Sequence, residues 1–140
     1  MDKKEALKQI KAGKDEEGNN YFSLADADEK LKADKEVVLA AVKQNGYALE
    51  HAYKKLRADK EVVLAAVKQD GYALKHADKK LKGDKKFILT AIKQDADAFI
   101  FADKKLKADK KIVMAKTKAQ IKNFKKLEQK ALNGTGETGY

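Results

Sequence analysis

The sequence predicts an all-α fold, a short α-solenoid of helix–turn–helix repeats of about 25 residues with a longer C-terminal helix. The first observation is internal repetition: residues 33–57 and 58–82 differ at only four of 25 positions. The second is a more distant copy at 83–107, which is identical to the preceding unit at 14 of 25 positions. The third is apolar patterning with helical spacing in a chain that contains no proline. Stacked units of this kind bury their apolar faces collectively.

The chain begins with a helix candidate, Lys3 to Lys11, followed by a polar loop that extends to residue 20. Residues 22–32 match the back half of a repeat, so they are predicted to form a partial unit. The full units 33–57, 58–82 and 83–107 follow.

Each full unit is predicted to contain two helices. Asp34 begins the first, because an aspartate accepts backbone hydrogen bonds at a helix N-terminus and favours the helix dipole. The same position recurs once in each later unit, at Asp59, Asp84 and Asp109. A block of six apolar residues after Asp34 predicts a largely buried helix. Gly46 and Gly71 are predicted to end the first helix in the left-handed conformation.

The second helix is predicted over about 47–57, with an apolar stripe at Leu49, Ala52, Tyr53 and Leu56. Tyr47 and Tyr72 follow the helix-ending glycines, and packing at the corner between helices is favoured over a stacking ladder for peptide or bases. Buried positions are expected at the six repeat-equivalent residues of the first helices, with three residues of the second helices packed on them. The first set is Val38, Val42, Val63, Val67, Ile88 and Ile92, and the second is Leu49, Leu74 and Phe99.

The last unit begins at Ala108 but contains no turn. Its helical pattern runs from Asp109 to about Asn133, so residues 108–133 are predicted to form a capping helix. The domain prediction is therefore one helical repeat domain, 1–133, followed by a flexible tail, 134–140. The 83–107 unit has Ala96 where the others have glycine, and either Asp95 or Asp97 could cap its second helix.

Composition excludes several classes of protein. The chain has no cysteine, which rules out disulfides, thiolate zinc sites, iron–sulfur clusters and cysteine nucleophiles. The N-terminal segment has no apolar region typical of a signal peptide, and no stretch approaches the length of a membrane-spanning helix. We therefore expect a soluble, cytoplasmic protein without a transmembrane segment.

The order and spacing of the repeat at 31–49 and 56–74, Leu-x-Ala-Asp-Lys-Glu-Val-Val-Leu-Ala-Ala-Val-Lys-Gln-Asn/Asp-Gly-x-Ala-Leu, resembles tandem copies of domain of unknown function 4116. The resemblance covers residues 22–115 or so. It implies a helical repeat module and implies no activity. The 83–107 unit and the unturned last unit depart from the pattern, so a surface shared by the first two full units is not expected to continue there.

Positive charge is concentrated at the C-terminus: the net charge is +10 overall and +6 over residues 106–140. A lysine-rich amphipathic helix can contact phosphates or an anionic surface. Only one of the 32 basic residues is an arginine, so sequence-specific reading of nucleic-acid bases is not expected. The predicted anion-binding residues are Lys118, Lys122, Lys125 and Lys126. A solvated capping helix without a ligand is the favoured interpretation, anion binding is the first alternative and a contact with a partner helix the second, and compositional bias toward lysine is a further explanation.

No pattern predicts an enzyme, a cofactor site or a metal site. His51 and His76 are repeat equivalents and are expected to be structural or surface residues, because adjacent helices would separate them too far for one metal ion. The acidic pairs Asp26-x-Asp28 and Asp95-x-Asp97 lack the glycine and terminal glutamate of a calcium loop.

Two hypotheses of function follow. The first is a non-enzymatic interaction module that binds another protein through exposed helix faces. Its predicted partner-binding residues are Glu50, Tyr53, Lys75 and Asp78, where nearly identical units differ. The alternative is a non-specific binder of nucleic acid or anionic surfaces through the lysine-rich C-terminal helix. The first hypothesis rests partly on analogy with other helical repeats.

Overall fold

The computed structural model of the chain describes residues 1–135. Within that range the protein is built from α- and 3-10 helices and contains no strand, so the predicted all-α class is confirmed. A single antiparallel bridge between Lys14 and Asn20 closes the loop that follows the first helix. In that loop Gly13 and Gly18 have positive φ angles of 84° and 88°, which side chains with a Cβ rarely adopt.

A unit of the array consists of a front α-helix and a back half, which comprises a 3-10 helix and a short α-helix. The first unit contains α1 (Lys3–Ala12), η1 (Leu24–Asp26) and α2 (Glu29–Lys32). The second contains α3 (Lys35–Gln44), η2 (Gly46–His51) and α4 (Lys54–Arg57). The third contains α5 (Lys60–Gln69), η3 (Gly71–His76) and α6 (Lys79–Lys82). The fourth contains α7 (Lys85–Gln94), η4 (Ala96–Phe101) and α8 (Lys104–Lys107), and α9 (Lys110–Thr135) follows it.

The predicted aspartates begin the front helices. Asp34, Asp59 and Asp84 each accept a hydrogen bond from the amide three positions later, at 3.2, 3.2 and 3.1 Å respectively. Asp109 accepts from two amides of α9. These bonds satisfy amides that have no partner inside a helix, which explains why a front helix begins at the same position of every unit.

The same aspartates connect neighbouring units, because each lies within reach of a lysine from the unit before it. Lys35 contacts Asp59 at 3.1 Å and Glu61 at 2.9 Å. Lys3, Lys60 and Lys85 make the equivalent ion pairs with Asp34, Asp84 and Asp109. Hydrogen bonding from Phe87 N–H holds the pKa of Asp84 below its usual value, and the charge of Lys60 lowers it further, despite partial desolvation.

The core runs along the array where the front helices meet the back halves. The six predicted front-helix positions, from Val38 to Ile92, are all completely buried. Leu49 and Leu74 are also fully buried, whereas Phe99 is only half-buried at the edge of the core. The predicted core is therefore confirmed, and only Phe99 of the fourth unit is less buried than its equivalents.

The prediction of a single second helix over 47–57 is wrong. In the second unit η2 ends at His51, and Ala52 and Tyr53 are extended before α4 begins. The helix is interrupted because the Tyr53 amide donates to Lys32 O, 2.9 Å away in the preceding unit, instead of continuing the helical bonding. Asp78 and Asp103 amides make the same bond in the next two units.

The prediction that Gly46 and Gly71 adopt the left-handed conformation is also wrong, because neither has a positive φ angle. Their role is close packing. A Cβ on Gly46 would lie 2.6 Å from Ala66 O in the next front helix, and one on Gly71 would meet the Asp95 carboxylate. Asn45 and Asp70 cap the following 3-10 helix, as Asp95 does in the fourth unit.

The N-terminal helix takes the place of a front helix. Asp2 caps α1, Lys3 pairs with Asp34, and the buried Ala6 and Ile10 occupy the positions of Val38 and Val42 relative to their capping aspartates. The predicted partial unit 22–32 thus has a front half, separated from it by the loop at 13–21. Sequence reasoning missed this because the loop changes the spacing, although the shared Asp-Lys start was visible.

The predicted C-terminal helix is confirmed and is slightly longer than expected. It runs from Lys110 to Thr135, so the Asn133-Gly134 signal does not end it within the described range. The rest of the predicted tail, residues 136–140, lies outside the described residues.

Candidate functional site

The 3-10 helices η2, η3 and η4 lie side by side and form one surface of the array, which we call the 3-10 row. Glu50 and Lys75 occupy the same position on η2 and η3, and both are exposed. Tyr53 lies beyond η2 with 48% of its surface exposed. Three of the four predicted partner-binding residues are therefore accessible on this side of the array.

Asp78, the fourth, is half-buried and has a structural role. Its carboxylate accepts from Lys80 N–H at 2.9 Å, and its own amide donates to Arg57 O at 2.9 Å. Replacing Asp78 therefore disturbs a helix cap as well as the surface, whereas the Tyr53 side chain makes no cap bond.

Aromatic rings connect adjacent units along the 3-10 row. Tyr47 meets His76 edge to face with ring centroids 6.2 Å apart, and Tyr72 meets Phe101 in the same way at 5.9 Å. Tyr47 and Tyr72 therefore pack on the neighbouring unit and not only at the predicted corner between helices, and both rings remain exposed. The partners were not predicted, because each lies in the neighbouring unit and follows only from how the units stack.

The electrostatics of the row differ from unit to unit. Burial lowers the pKa of His76; Glu50 opposes this, and the charges of Lys75 and Lys82 add to it. At Asp97, which replaces the tyrosine of the earlier units, burial and the nearby Asp95 raise the pKa. At this one position the row therefore changes from aromatic to acidic at its C-terminal end.

The second candidate surface is α9. Only its first part packs on the array: Ile112 is fully buried, and Ala115 and Ala119 lie against the core. Lys116 Nζ lies 4.5 Å from the centroid of the Phe99 ring, a cation–π contact. Every residue from Gln120 to Gly134 is exposed, although Lys122, Asn123 and Lys126 border a small pocket together with Gln94 to Ala96 of the array.

The four predicted anion-binding lysines all lie on α9 and are exposed. None of them forms an ion pair with a carboxylate of the described residues. Lys118 and Lys122 also border a cleft of about 410 Å³ between α7 and α9. Met114, Ala115 and Ala119 contribute apolar surface to it, and Lys93 and Lys111 complete its basic border.

One repeat position adds to the positive charge at this end. Glu36 and Glu61 pair with lysines of the preceding units, at 2.8 and 2.9 Å. Lys86 and Lys111 replace them in the fourth unit and in α9. The array therefore loses its second row of ion pairs toward the C-terminus and gains unneutralised positive charge.

Residues 1–135 contain no group of three or more histidine, aspartate or glutamate side chains that could hold a metal ion. Among these residues no helix has both the length and the apolar character needed to cross a membrane.

The stacked units, with front helices on one side and the 3-10 row on the other, define a helical repeat protein. The chain belongs to the family described as domain of unknown function (DUF4116), which matches residues 18–57, 47–82, 59–107 and 84–115. These overlapping matches confirm the predicted tandem repeats. No protein with a curated description and no solved structure matches the chain.

Proposed function

We propose that the chain is a non-enzymatic interaction module that binds another protein through the 3-10 row. The observation that carries this proposal concerns the four positions at which the two most similar units differ. Two of them keep their local role, because Asn45 and Asp70 both cap a 3-10 helix and Arg57 and Lys82 both accept a hydrogen bond from the next unit. The other two, Glu50/Lys75 and Tyr53/Asp78, change the chemistry of the row itself.

An unchanged scaffold with variable exposed positions is the arrangement that lets a repeat array distinguish partners. The mixture of tyrosine rings with single charges also suits a protein interface, whose centre is rich in aromatic residues. The proposal assigns no catalytic, cofactor or metal-binding residue. It includes the cytoplasmic location expected from the sequence, which fractionation of host cells tests.

The test is affinity capture from the native host, followed by titration of the purified partner. The row variant combines Glu50→Ala, Tyr53→Ala, Lys75→Ala and Asp78→Asn. We expect it to weaken binding by at least about tenfold, as expected for loss of a central aromatic residue and charges. The thermal midpoint, measured separately, shows whether Asp78→Asn has weakened the fold.

The control is Lys118→Glu, Lys122→Glu and Lys125→Glu on α9, which should leave that affinity largely intact. Binding that survives the row variant and disappears in the α9 variant would contradict the proposal.

A second candidate function is non-specific binding of nucleic acid or anionic surfaces by α9. Lys118, Lys122, Lys125 and Lys126 have no carboxylate partner within residues 1–135, which supports it. Lysines that contact phosphates release counterions, so log affinity should fall linearly with log salt, by about 0.9 per phosphate contacted. The α9 variant should remove binding to all nucleic-acid sequences alike, because lysine acts as a point charge.

The matched control for this second function reverses the charge of three exposed lysines outside α9, with the substitutions Lys54→Glu, Lys79→Glu and Lys104→Glu. It changes the net charge equally, so equal loss in both variants would mean that overall charge, not α9, drives binding.

A further inference from the structure

The α9 lysines leave one feature of the helix unexplained. Within the described residues twelve large hydrophobic side chains are exposed, and half of them lie on α9. They are Val113, Met114, Ile121, Phe124, Leu127 and Leu132. A helix that only contacted phosphates would need no such residues. We call four of them, Val113, Ile121, Phe124 and Leu127, the α9 ridge.

The α9 ridge spans roughly 21 Å of helix at 1.5 Å per residue, with the polar Thr117 and Gln120 between Val113 and the closely spaced Ile121, Phe124 and Leu127. It is also strongly exposed, with Phe124 and Leu127 at 68% and 65%. Glu128, the one acidic residue on α9, lies on the same side of the helix beyond Phe124 and interrupts the apolar surface.

The array lies on the other side of α9. Ile112, Ala115 and Ala119, which pack against the core, are centred about 140° around the helix from the ridge, at 100° per residue. A flat surface can therefore meet the whole ridge without touching the array. A protein groove that encloses a helix would collide with the array along the first part of α9.

Of the four predicted anion-binding lysines, two flank the ridge, whereas Lys122 and Lys126 lie on the side of the helix that faces the array. Lys118 and Lys125 lie beside it on one flank, within about 60° of Ile121. The segment 106–140 carries a net charge of +6, so pairing two copies through their ridges would bring like charges together. The charge and the one-sided geometry both favour a flat anionic surface. Nucleic acid supplies the charge but no apolar layer for Phe124 and Leu127.

We propose that α9 is an interfacial helix that lies on an anionic lipid bilayer. The ridge enters the boundary between headgroups and acyl chains, and the flanking lysines contact lipid phosphates. This inference rests on the second candidate function and names its surface. It requires the ridge side chains Ile121, Phe124 and Leu127 to remain exposed, as they are in the structure.

The test is co-sedimentation of the full chain with vesicles of phosphatidylcholine alone and of phosphatidylcholine mixed with phosphatidylserine. We expect binding only to the mixed vesicles. The ridge variant, Phe124→Ser with Leu127→Ser, should weaken it at least about tenfold, because two large apolar side chains no longer enter the bilayer. Ile100→Ser, which removes an exposed apolar side chain from η4, is the matched control and should bind as the parent does.

A fluorescent reporter tests insertion directly, because the chain contains no tryptophan. In the Phe124→Trp variant, the tryptophan emission should shift to shorter wavelength when mixed vesicles are added. The tryptophan should also become protected from an aqueous quencher. Ile100→Trp should show neither change. Glu128→Ala should tighten binding, because it removes the negative charge that interrupts the apolar side. Circular dichroism and thermal midpoints should match the parent, since all these side chains are exposed.

Four outcomes overturn the inference. If the lysine reversals on α9 abolish vesicle binding but the ridge variant does not, the contact is electrostatic only, and the second candidate function stands without a bilayer. Binding to a homopolymeric RNA without binding to vesicles would likewise reject the bilayer and leave the second candidate function standing. Self-association that the ridge variant abolishes identifies a second copy as the occupant. Binding to neither RNA nor vesicles rejects the second candidate function as well.

Discussion

The helices α5 and α9 begin alike and end differently. Both follow an aspartate that is ion-paired to the preceding unit, and both place a valine at the same distance after that aspartate. Val63 is completely buried, whereas Val113 is 37% exposed. The residue and its position are the same, so the difference comes from what covers it.

Besides α3 and η2 of the preceding unit, α5 is covered by two elements that have no counterpart at α9. η3 folds back on it from its own unit, and α7 packs beside it from the next. α9 runs on as a helix instead of turning, so it has no back half of its own in the described range. Burial in this fold is therefore a property of the stack of units and is lost where the stack ends.

The sequence of α9 reflects this change only in part. The buried Ala66 and Val67 of α5 correspond to Lys116 and Thr117, which are polar, as an open end requires. Phe124 and Leu127, farther along, are strongly apolar and exposed. An open end alone does not explain them, which is why we assign them to an external surface.

The largest expected effect tests this comparison directly. Val63→Asp places a charge among fully buried side chains and should lower the free energy of unfolding by at least about 3 kcal/mol. Val113→Asp makes the same change at the equivalent position of α9 and should stay within about 0.5 kcal/mol of the parent. Urea titrations of both variants provide the measurement. Similar losses in the two variants would show that α9 is covered in solution.

A smaller effect is expected where adjacent units approach most closely. Gly46→Ala puts a Cβ 2.6 Å from the backbone oxygen of Ala66, so α5 must shift, at a cost of about 1–3 kcal/mol. Gly83→Ala is the control. A Cβ there would have its nearest neighbour at 3.7 Å, and three other units have alanine at this position.

The Gly83→Ala variant should therefore be neutral or more stable by about 0.4–1 kcal/mol, through a less flexible unfolded chain. Thermal midpoints of the two variants measure the difference. If the thermal midpoint of Gly46→Ala equals that of the parent, the spacing between α3 and α5 is looser than the structure shows.

The features that sequence reasoning predicted correctly are local or strictly periodic. The capping aspartates and the buried valines follow from helix chemistry within a unit, repeated from one unit to the next. The interruption at Ala52–Tyr53 was missed because it depends on a bond to Lys32 in another unit. The sequence did contain a signal for this interruption. Asp28 and Asp78 occupy equivalent positions of two units, and each caps the short helix that follows it.

The candidate surfaces were predictable to a similar degree. The exposure of Glu50, Lys75 and the α9 lysines follows from their polarity and helical position. The pairing of Tyr47 with His76 does not, because it depends on how two back halves stack. Similarly, the position of the α9 ridge opposite the array depends on which side of α9 packs on α7.

The smallest expected effect concerns the contact between back halves, which α9 lacks. Burial holds the pKa of His76 below its usual value, with Lys75 and Lys82 acting in the same sense and Glu50 against it. The unfolded chain therefore takes up a proton near pH 6.5 that the folded protein resists. The stability gained by keeping the His76 ring neutral is fully present above about pH 6.5 and is lost as the pH falls toward the folded-state pKa of His76.

His76→Phe removes this titration and retains an edge-to-face contact with Tyr47, as Phe101 does with Tyr72. Relative to the parent, its unfolding free energy should rise as the pH is lowered from about 6.5 to 5. His76→Gln should show the same trend with pH but should be less stable at pH 8, because it lacks the ring. Urea titrations across this range measure both. Parallel pH profiles for parent and His76→Phe would mean that His76 is not buried by the neighbouring unit, and that the back halves are less closely stacked than the front helices.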